Sequence, residues 1–135
     1  MFNKETEYAL RALVYIQKSN WAGYRPGTDE ISREIDAPKF FTAKILQRIA
    51  KLGFINSAKG RGGGFFFDES KPELSLIELA QTTGDIRIIS SCAFGMKKCD
   101  CENPCPMHHK YAPIREAMEN MVRDETIQSL AKKTN

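Results

Sequence analysis

The spacing of apolar residues along the start of the chain predicts two helices. Ala9, Leu13 and Ile16 recur at intervals of three or four residues, which predicts an amphipathic first helix over about residues 5–18. Helix-breaking residues follow the first helix, and Thr28 is suited to cap a short second helix after them. The chain therefore begins with a long helix and a short one joined by a brief connection.

A longer helix and a hairpin are predicted next. Pro38 fits the first turn of a helix that Gly53 ends. A short strand is predicted at residues 54–55, a glycine-rich turn over residues 59–64 and a returning strand over residues 65–67. The apolar residues on one face of the helix are Phe41, Ile45, Leu46, Ile49 and Leu52.

The second half of the chain predicts further helices separated by an irregular stretch. Residues 75–78 have the S-x-x-E pattern of a capping box, so a helix begins there. Residues 85–89 are predicted to be briefly extended, and residues 90–107 show no periodicity. A second strongly amphipathic helix is predicted from about Ala112, and Thr126 is suited to cap a last short helix.

The composition is that of an ordinary globular chain. Of 135 residues, 41% are hydrophobic and 27% are charged, unlike a disordered or membrane-embedded protein. Residues 1–13 contain Lys4, Glu5 and Glu7 and no unbroken apolar run, so neither a secretory signal nor a membrane anchor is expected there. We expect a cytoplasmic protein with no membrane partner.

The charge distribution is more informative than the net charge of +3. Residues 37–67 contain no acidic residue, so the remainder of the chain is net acidic. The basic residues of this stretch are Lys39, Lys44, Arg48, Lys51, Lys59 and Arg61.

This acid-free stretch has the arrangement of a DNA-binding surface. A recognition helix places its first turns in the major groove while flanking cations meet phosphates. A glycine-rich hairpin after it can act as a wing that reaches an adjacent groove. A solvated basic face, or a loop that needs glycine only for its turn, explains either element alone, whereas helix and wing together favour double-stranded DNA. The predicted DNA contacts are Lys39, Phe40, Thr42, Ala43, Lys44, Gln47, Arg48, Lys59 and Arg61.

The four cysteines form a second feature that carries chemistry. All lie between Cys92 and Cys105, and both histidines, His108 and His109, follow closely. The cytosol keeps thiols reduced, so such a group favours a metal over a set of disulfides. Thiolates suit iron-sulfur clusters, zinc or copper(I), and a metal can order a loop that has few core residues. Incidental buried cysteines would need apolar surroundings, which this polar loop does not supply.

These elements predict a mainly α fold with a small β-hairpin wing. A winged helix-turn-helix DNA-binding domain takes residues 1–84, and a cysteine-rich metal-binding or cluster-binding loop takes residues 85–111. Residues 112–135 then form a long helix and a short terminal one. The glycine run of the wing does not predict a nucleotide-binding loop, because no helix and no Lys-Ser/Thr pair follow it.

Over nearly its whole length the chain resembles the IscR and NsrR-like (Rrf-type) winged-helix regulators of bacteria. The matching segments are residues 7–11 (EYALR), 46–57, 59–65 (KGRGGGF) and 76–79 (LIEL), of which the wing is the most specific. Arg61 stands where proline is commoner in the family, which changes the charge but not the turn.

The resemblance implies a homodimer that reads palindromic operators. The dimer would form through the long C-terminal helix, here Pro113 to about Arg123. The apolar residues that repeat along that helix are compatible with this role, although they could equally pack on their own domain. The implied dimer contacts are Ile114, Met118, Met121 and Val122.

The resemblance also implies a set of metal ligands. Cluster-bearing members use three cysteines, and Cys92, Cys99 and Cys105 resemble them. His108 matches the fourth ligand of IscR-type proteins with a two-iron cluster, whereas Glu7 matches the carboxylate of NsrR-type proteins with a four-iron cluster. We prefer His108 and a [2Fe–2S] cluster, with [4Fe–4S] as the alternative.

The cysteine spacing departs from the family pattern at two points. Six residues separate Cys92 from Cys99 where five are usual, and Cys101 is extra. Cys101 could therefore replace Cys99 as a ligand, serve as a fourth thiolate or act in redox exchange.

We therefore predict a dimeric transcription regulator, preferably a repressor, whose operator binding is controlled by an iron-sulfur cluster that senses redox state, nitric oxide or iron-sulfur status. The alternative is a zinc-stabilised DNA-binding or interaction module with no sensing role, because thiolate and imidazole ligands also suit zinc. An enzyme is not expected, since no Cys-x-x-Cys opens a helix in a βαβ context.

Overall fold

A computed structural model describes residues 2–97 and 100–134, and of Ile88 the backbone alone. The mainly helical architecture with a two-stranded hairpin confirms the predicted fold class. None of the helices in the described ranges combines the length and the apolar character that a membrane span requires. In chain order the elements are α1 (Lys4–Trp21), α2 (Thr28–Glu34), α3 (Lys39–Lys51), β1 (Asn56–Ala58), β2 (Gly64–Phe66), α4 (Leu76–Thr82), α5 (Arg87–Ser90), α6 (His108–Asp124) and α7 (Ile127–Lys133).

The first helix supplies the central wall of the core. Asn3 caps α1 by accepting the N–H of Thr6 at 2.8 Å. The predicted apolar face is confirmed, since Ala9, Leu13 and Ile16 are fully buried. The remaining helices and the hairpin pack around this face.

The second and third helices form the helix-turn-helix. Thr28 does not cap α2 as predicted, because Gly27 occupies the cap position and Thr28 is already helical. The turn before α3 contains Asp36 in a left-handed conformation with φ +50°.

The apolar face of α3 is narrower than predicted. Ile45, Leu46 and Ile49 are buried, but Phe41 and Leu52 remain 40% and 55% exposed. Phe41 lies in the first turn, where its ring meets that of Tyr8 edge-on at 5.7 Å, and Leu52 follows the last residue of the helix.

The first strand of the hairpin, β1, begins two residues later than predicted, at Asn56. Gly53 ends α3 with a φ of +87°, and the N–H of the next residue, Phe54, bonds back to the carbonyl of Ile49 at 3.3 Å. The pairing of the two strands therefore begins only after Phe54. The strands are antiparallel with Asn56 opposite Phe66. Ile55, predicted to be in the strand, is instead a core residue just before it.

The segment after the wing forms helices where an extended piece was predicted. The capping box of Ser75 and Glu78 at the start of α4 is confirmed. The extended prediction for residues 85–89 is wrong, because residues 87–90 form the single-turn helix α5. The Ser90 hydroxyl donates to the Ile86 carbonyl at 3.1 Å, which favours the turn.

The C-terminal helices return to the same core. α6 begins at His108, four residues before the predicted start. The start of α7 is tied to the start of α4, because the Ile127 N–H donates to the Leu74 carbonyl at 2.8 Å. Val122 and Ile127 are fully buried with the residues of α1.

Candidate nucleic-acid interface and metal centre

The exposed face of α3 carries an aromatic ring and cations. Phe40 is 72% exposed, and the Nζ atom of Lys44 lies 4.5 Å from its ring centroid. Lys39 pairs with Asp29 at 2.6 Å, and this hydrogen bond and charge lower the pKa of the Asp29 carboxyl. Both partners of that pair are exposed, so it holds Lys39 only weakly. Gln47 is exposed and Ala43 is half-buried on the same helix.

Two residues predicted to contact DNA are held by the protein itself. Thr42 is 1% exposed, and its hydroxyl donates to the Pro38 carbonyl at 3.0 Å. It lies at i, i+3, i+4 and i+7 spacing with the buried isoleucines and leucine of α3, a signal already present in the sequence. The Arg48 guanidinium binds the Glu5 carboxylate at 2.5 Å and the Thr82 carbonyl.

The wing presents its two cations at an exposed tip. Lys59 and Arg61 are exposed beside Gly60 and Gly62, both of which have positive φ. At Gly64, a Cβ atom would lie 2.2 Å from the Arg25 carbonyl oxygen, so only glycine permits this approach.

Arg25 is a cation that the sequence analysis did not assign to this surface. Its guanidinium carbon lies 3.7 Å from the centroid of the Phe66 ring, at the base of the wing. The Phe65 N–H donates to the Pro26 carbonyl at 2.9 Å, so this segment is bonded to β2. Arg25 precedes the acid-free stretch, and only the pairing of its segment with β2 brings it to the wing.

The structure brings together two of the predicted thiol ligands. Cys92 follows α5 and Cys105 precedes α6, and α5 packs against α6. The backbone N–H of Met96 is the main cause that lowers the pKa of the Cys92 thiol, with Cys105 and the N–H groups of Phe94 and Gly95 acting in the same direction. Such a cradle of N–H groups is typical of sites that hold anions and clusters.

The remaining predicted ligands are Cys99, Cys101, His108 and Glu7. Cys101 is exposed, and Cys99 lies outside the described residues. His108 begins α6, where its N–H donates to the Cys105 carbonyl at 3.1 Å. Glu7, on α1, pairs with Lys4 at 3.2 Å. Within residues 2–97 and 100–134 of a single chain, no three Cys, His, Asp or Glu side chains are arranged to hold a metal ion.

The donor chemistry of this segment nevertheless fits a soft metal or an iron-sulfur cluster. Cys92 and Cys105 are adjacent, unoxidised thiols, and the surrounding N–H groups stabilise the thiolate form that binds metal. The N–H groups around Cys92 were not predicted, because Gly95 indicates a turn but not the direction in which the N–H groups of that turn point.

One predicted dimer contact lies inside the protomer. Ile114 and Met121 are 57% and 41% exposed on α6, whereas Val122 is fully buried in the core. Met118 is half-buried between them. Val122 therefore faces inward, whereas Ile114 and Met121 face outward.

Residues 2–133 match the Rrf2 family, which is described as an iron-dependent transcriptional regulator. An HTH-type transcriptional regulator of Aquifex aeolicus is 26% identical over 132 residues, covering 96% of this chain and 90% of that protein. The HTH-type transcriptional regulator NsrR of Bacillus subtilis is 27% identical over 109 residues, covering 77% of this chain and 71% of that protein. These relatives are regulators and not enzymes, as predicted.

Solved structures show the same fold. CymR, the global cysteine regulator of B. subtilis, has a TM-score of 0.78 at 15% identity and covers 100% of this chain and 98% of its own. IscR of T. potens has a TM-score of 0.71 at 9% identity and covers 100% of this chain and 88% of its own. The resemblance to IscR and NsrR-like regulators is confirmed.

Proposed function

Because the chain belongs to the Rrf2 family of transcription regulators, we propose that it is a homodimeric repressor whose operator binding is controlled by an iron-sulfur centre. One observation carries this proposal. The packing of α5 against α6 brings Cys92, which follows α5, beside Cys105, which precedes α6, in a chain that also presents an exposed recognition helix and wing.

The DNA-binding half rests on the exposed face of α3 and on the wing. The exposed ring of Phe40, beside the cations Lys39 and Lys44, is the proposed contact for a thymine methyl group in the major groove. Ala43 and Gln47 continue this face toward the base edges. Lys59 and Arg61 extend from the wing to phosphates or to a minor-groove edge.

Dimerisation through α6 would set the spacing of the two recognition helices. Ile114, Met118 and Met121 supply an apolar stripe that the protomer leaves partly uncovered. Two half-sites of a palindromic operator lie one helical turn apart, about 34 to 36 Å, so both recognition helices must meet the DNA at once. A small rotation at the dimer helix then weakens binding sharply.

Cys92 and Cys105 are the residues best placed to hold the cluster. Cys99 is the proposed third ligand, with His108 as the fourth for a [2Fe–2S] cluster or Glu7 for a [4Fe–4S] cluster, and Cys101 remains a substitute thiolate. When bound, the cluster would link the ends of α5 and α6 through its ligands, and this link would be sensitive to oxidation and to nitric oxide. The N–H of Met96 is the main group that lowers the pKa of the Cys92 thiol, which favours the thiolate form that such a link requires.

The DNA-binding half is tested on the promoter of the protein's own operon. Replacing Lys59 or Arg61 with alanine is expected to weaken binding and to lower the slope of log K against log salt concentration by about one, because each loses a phosphate contact. Ser57→Ala, an exposed change in β1, is the matched control and should bind like the wild type. Equal, salt-insensitive affinity in all four proteins would contradict the assigned wing.

A second candidate function is a zinc-stabilised module, which the mixture of thiol and imidazole groups in residues 92–109 favours. Anaerobic purification, an absorption spectrum and analysis of iron, sulfide and zinc separate the two. We expect a coloured protein with iron and inorganic sulfide, and their loss in Cys92→Ala. A colourless protein with stoichiometric zinc would rule out the iron-sulfur proposal.

A further inference from the structure

Arg48 joins three helices near the C-terminal end of α3. Its Nη1 atom donates to the Glu5 carboxylate, in the first turn of α1, at 2.5 Å. Its Nη2 atom donates to the carbonyl of Thr82, the last residue of α4. The guanidinium thus spans positions that are 43 and 34 residues away along the chain.

The two elements that Arg48 contacts are also bonded to each other. The hydroxyls of Thr6 and Thr83 lie 2.6 Å apart in a buried hydrogen bond. The N–H of Asn3 donates to the Asp85 carboxylate at 2.8 Å. The start of α1 and the end of α4 therefore form one bonded unit, against which Arg48 holds α3.

This unit leads directly to the cysteines. The chain passes from Thr82 through Asp85 to α5, and Cys92 follows α5. The bond from Arg48 to the Thr82 carbonyl joins a side chain of α3 to this segment.

We propose that Arg48 is a positioning residue, which fixes the orientation of α3 and carries a change in the cysteine-bearing segment to the recognition helix; the second part rests on the function proposed above. The guanidinium is half-exposed, but the adjacent carboxylate opposes the approach of a phosphate. A phosphate contact would also require the bond to the Thr82 carbonyl to break. Arg48 therefore acts on DNA binding without touching DNA.

Whether Glu5→Gln weakens or strengthens operator binding distinguishes a positioning role of Arg48 from a phosphate contact. If Arg48 positions α3, both Glu5→Gln and Arg48→Gln weaken operator binding several-fold, the salt slope is unchanged, and the double variant is about as weak as either single one. If Arg48 contacts phosphate, Glu5→Gln frees the cation and strengthens binding, while Arg48→Gln lowers the salt slope by about one. The second pattern would overturn the proposal.

Lys39 and Asp29 provide a matched control pair on the DNA-facing side of the fold, at 2.6 Å. Here Lys39→Gln should lower the salt slope, and Asp29→Asn should leave affinity equal or higher. Arg48→Lys keeps the charge but cannot span both acceptors, so it should fail to restore binding, whereas restoration would indicate a phosphate contact. Thermal unfolding of each variant identifies any that fail to fold, and Glu5→Gln then serves in place of Arg48→Gln.

The coupling is measured as the ratio of operator affinities with and without the cluster. We expect this ratio to differ from one in the wild type and to approach one in Arg48→Gln and Glu5→Gln. An unchanged ratio in both variants would overturn the coupling part of the proposal. A wild-type ratio of one would contradict the iron-sulfur proposal instead, and the sign of the Glu5→Gln effect would still decide whether Arg48 positions α3.

Discussion

At the scale of single residues, close backbone approach shapes the wing. Gly64 has φ +143°, and a Cβ atom there would lie 2.2 Å from the carbonyl oxygen of Arg25. The neighbouring Phe65 N–H bonds to Pro26. The base of the wing is therefore fixed to the segment before α2.

Gly64→Ala is expected to destabilise the protein by about 3 kcal/mol, since backbone atoms must move to admit the methyl group. Gly62→Ala is the matched control, because its φ of +76° carries strain but no atom lies near the added Cβ. That strain alone costs about 1 kcal/mol. Urea unfolding measures both, and equal losses would contradict the assigned contact.

Single residues also show what the sequence could reveal. The period that marks Ile45, Leu46 and Ile49 as buried also includes Thr42, so its burial was predictable. The bonds of Arg48 were not, because nothing local in the sequence pairs it with Glu5 and Thr82. The N–H cradle of Cys92 likewise depends on the path of a turn.

At the scale of elements, periodicity located the long helices and failed on the shortest one. α1 and α3 extend over several turns, so their apolar faces could be recognised. α5 has a single turn, too short for a period to separate helix from strand. On α6 the period identified the stripe but not which of its residues turn inward, because that depends on where α4 and α1 lie.

The outward part of the α6 stripe leads to a prediction about assembly. Ile114→Asp is expected to convert the dimer to a monomer in sedimentation equilibrium, because it places a charge in an apolar interface. Folding of the protomer should be little affected, since Ile114 is 57% exposed in the single chain. Asn120→Asp adds the same charge on an exposed position of α6 and is the control. A stable Ile114→Asp dimer would refute the assigned interface.

At the scale of the whole molecule, one core joins α3 and the wing to the cysteine-bearing segment. Val122 and Ile127 share that core with α1, while α5 and α6 flank the two thiols. The acid-free stretch and the cysteine cluster were both visible in the sequence. Their physical connection depends on long-range contacts at Glu5, Arg48 and Thr82, which a single sequence does not indicate.

The affinity of the protein for its own promoter, with and without the cluster, tests the central claim most directly. Fluorescence anisotropy under anaerobic conditions at one fixed salt concentration would give Kd for the cluster-loaded protein, for the same sample after cluster removal, and for the sample after reloading. We predict a change of at least about tenfold, or ~1.4 kcal/mol, that reloading reverses. The same Kd in all three states would contradict control of operator binding by an iron-sulfur centre.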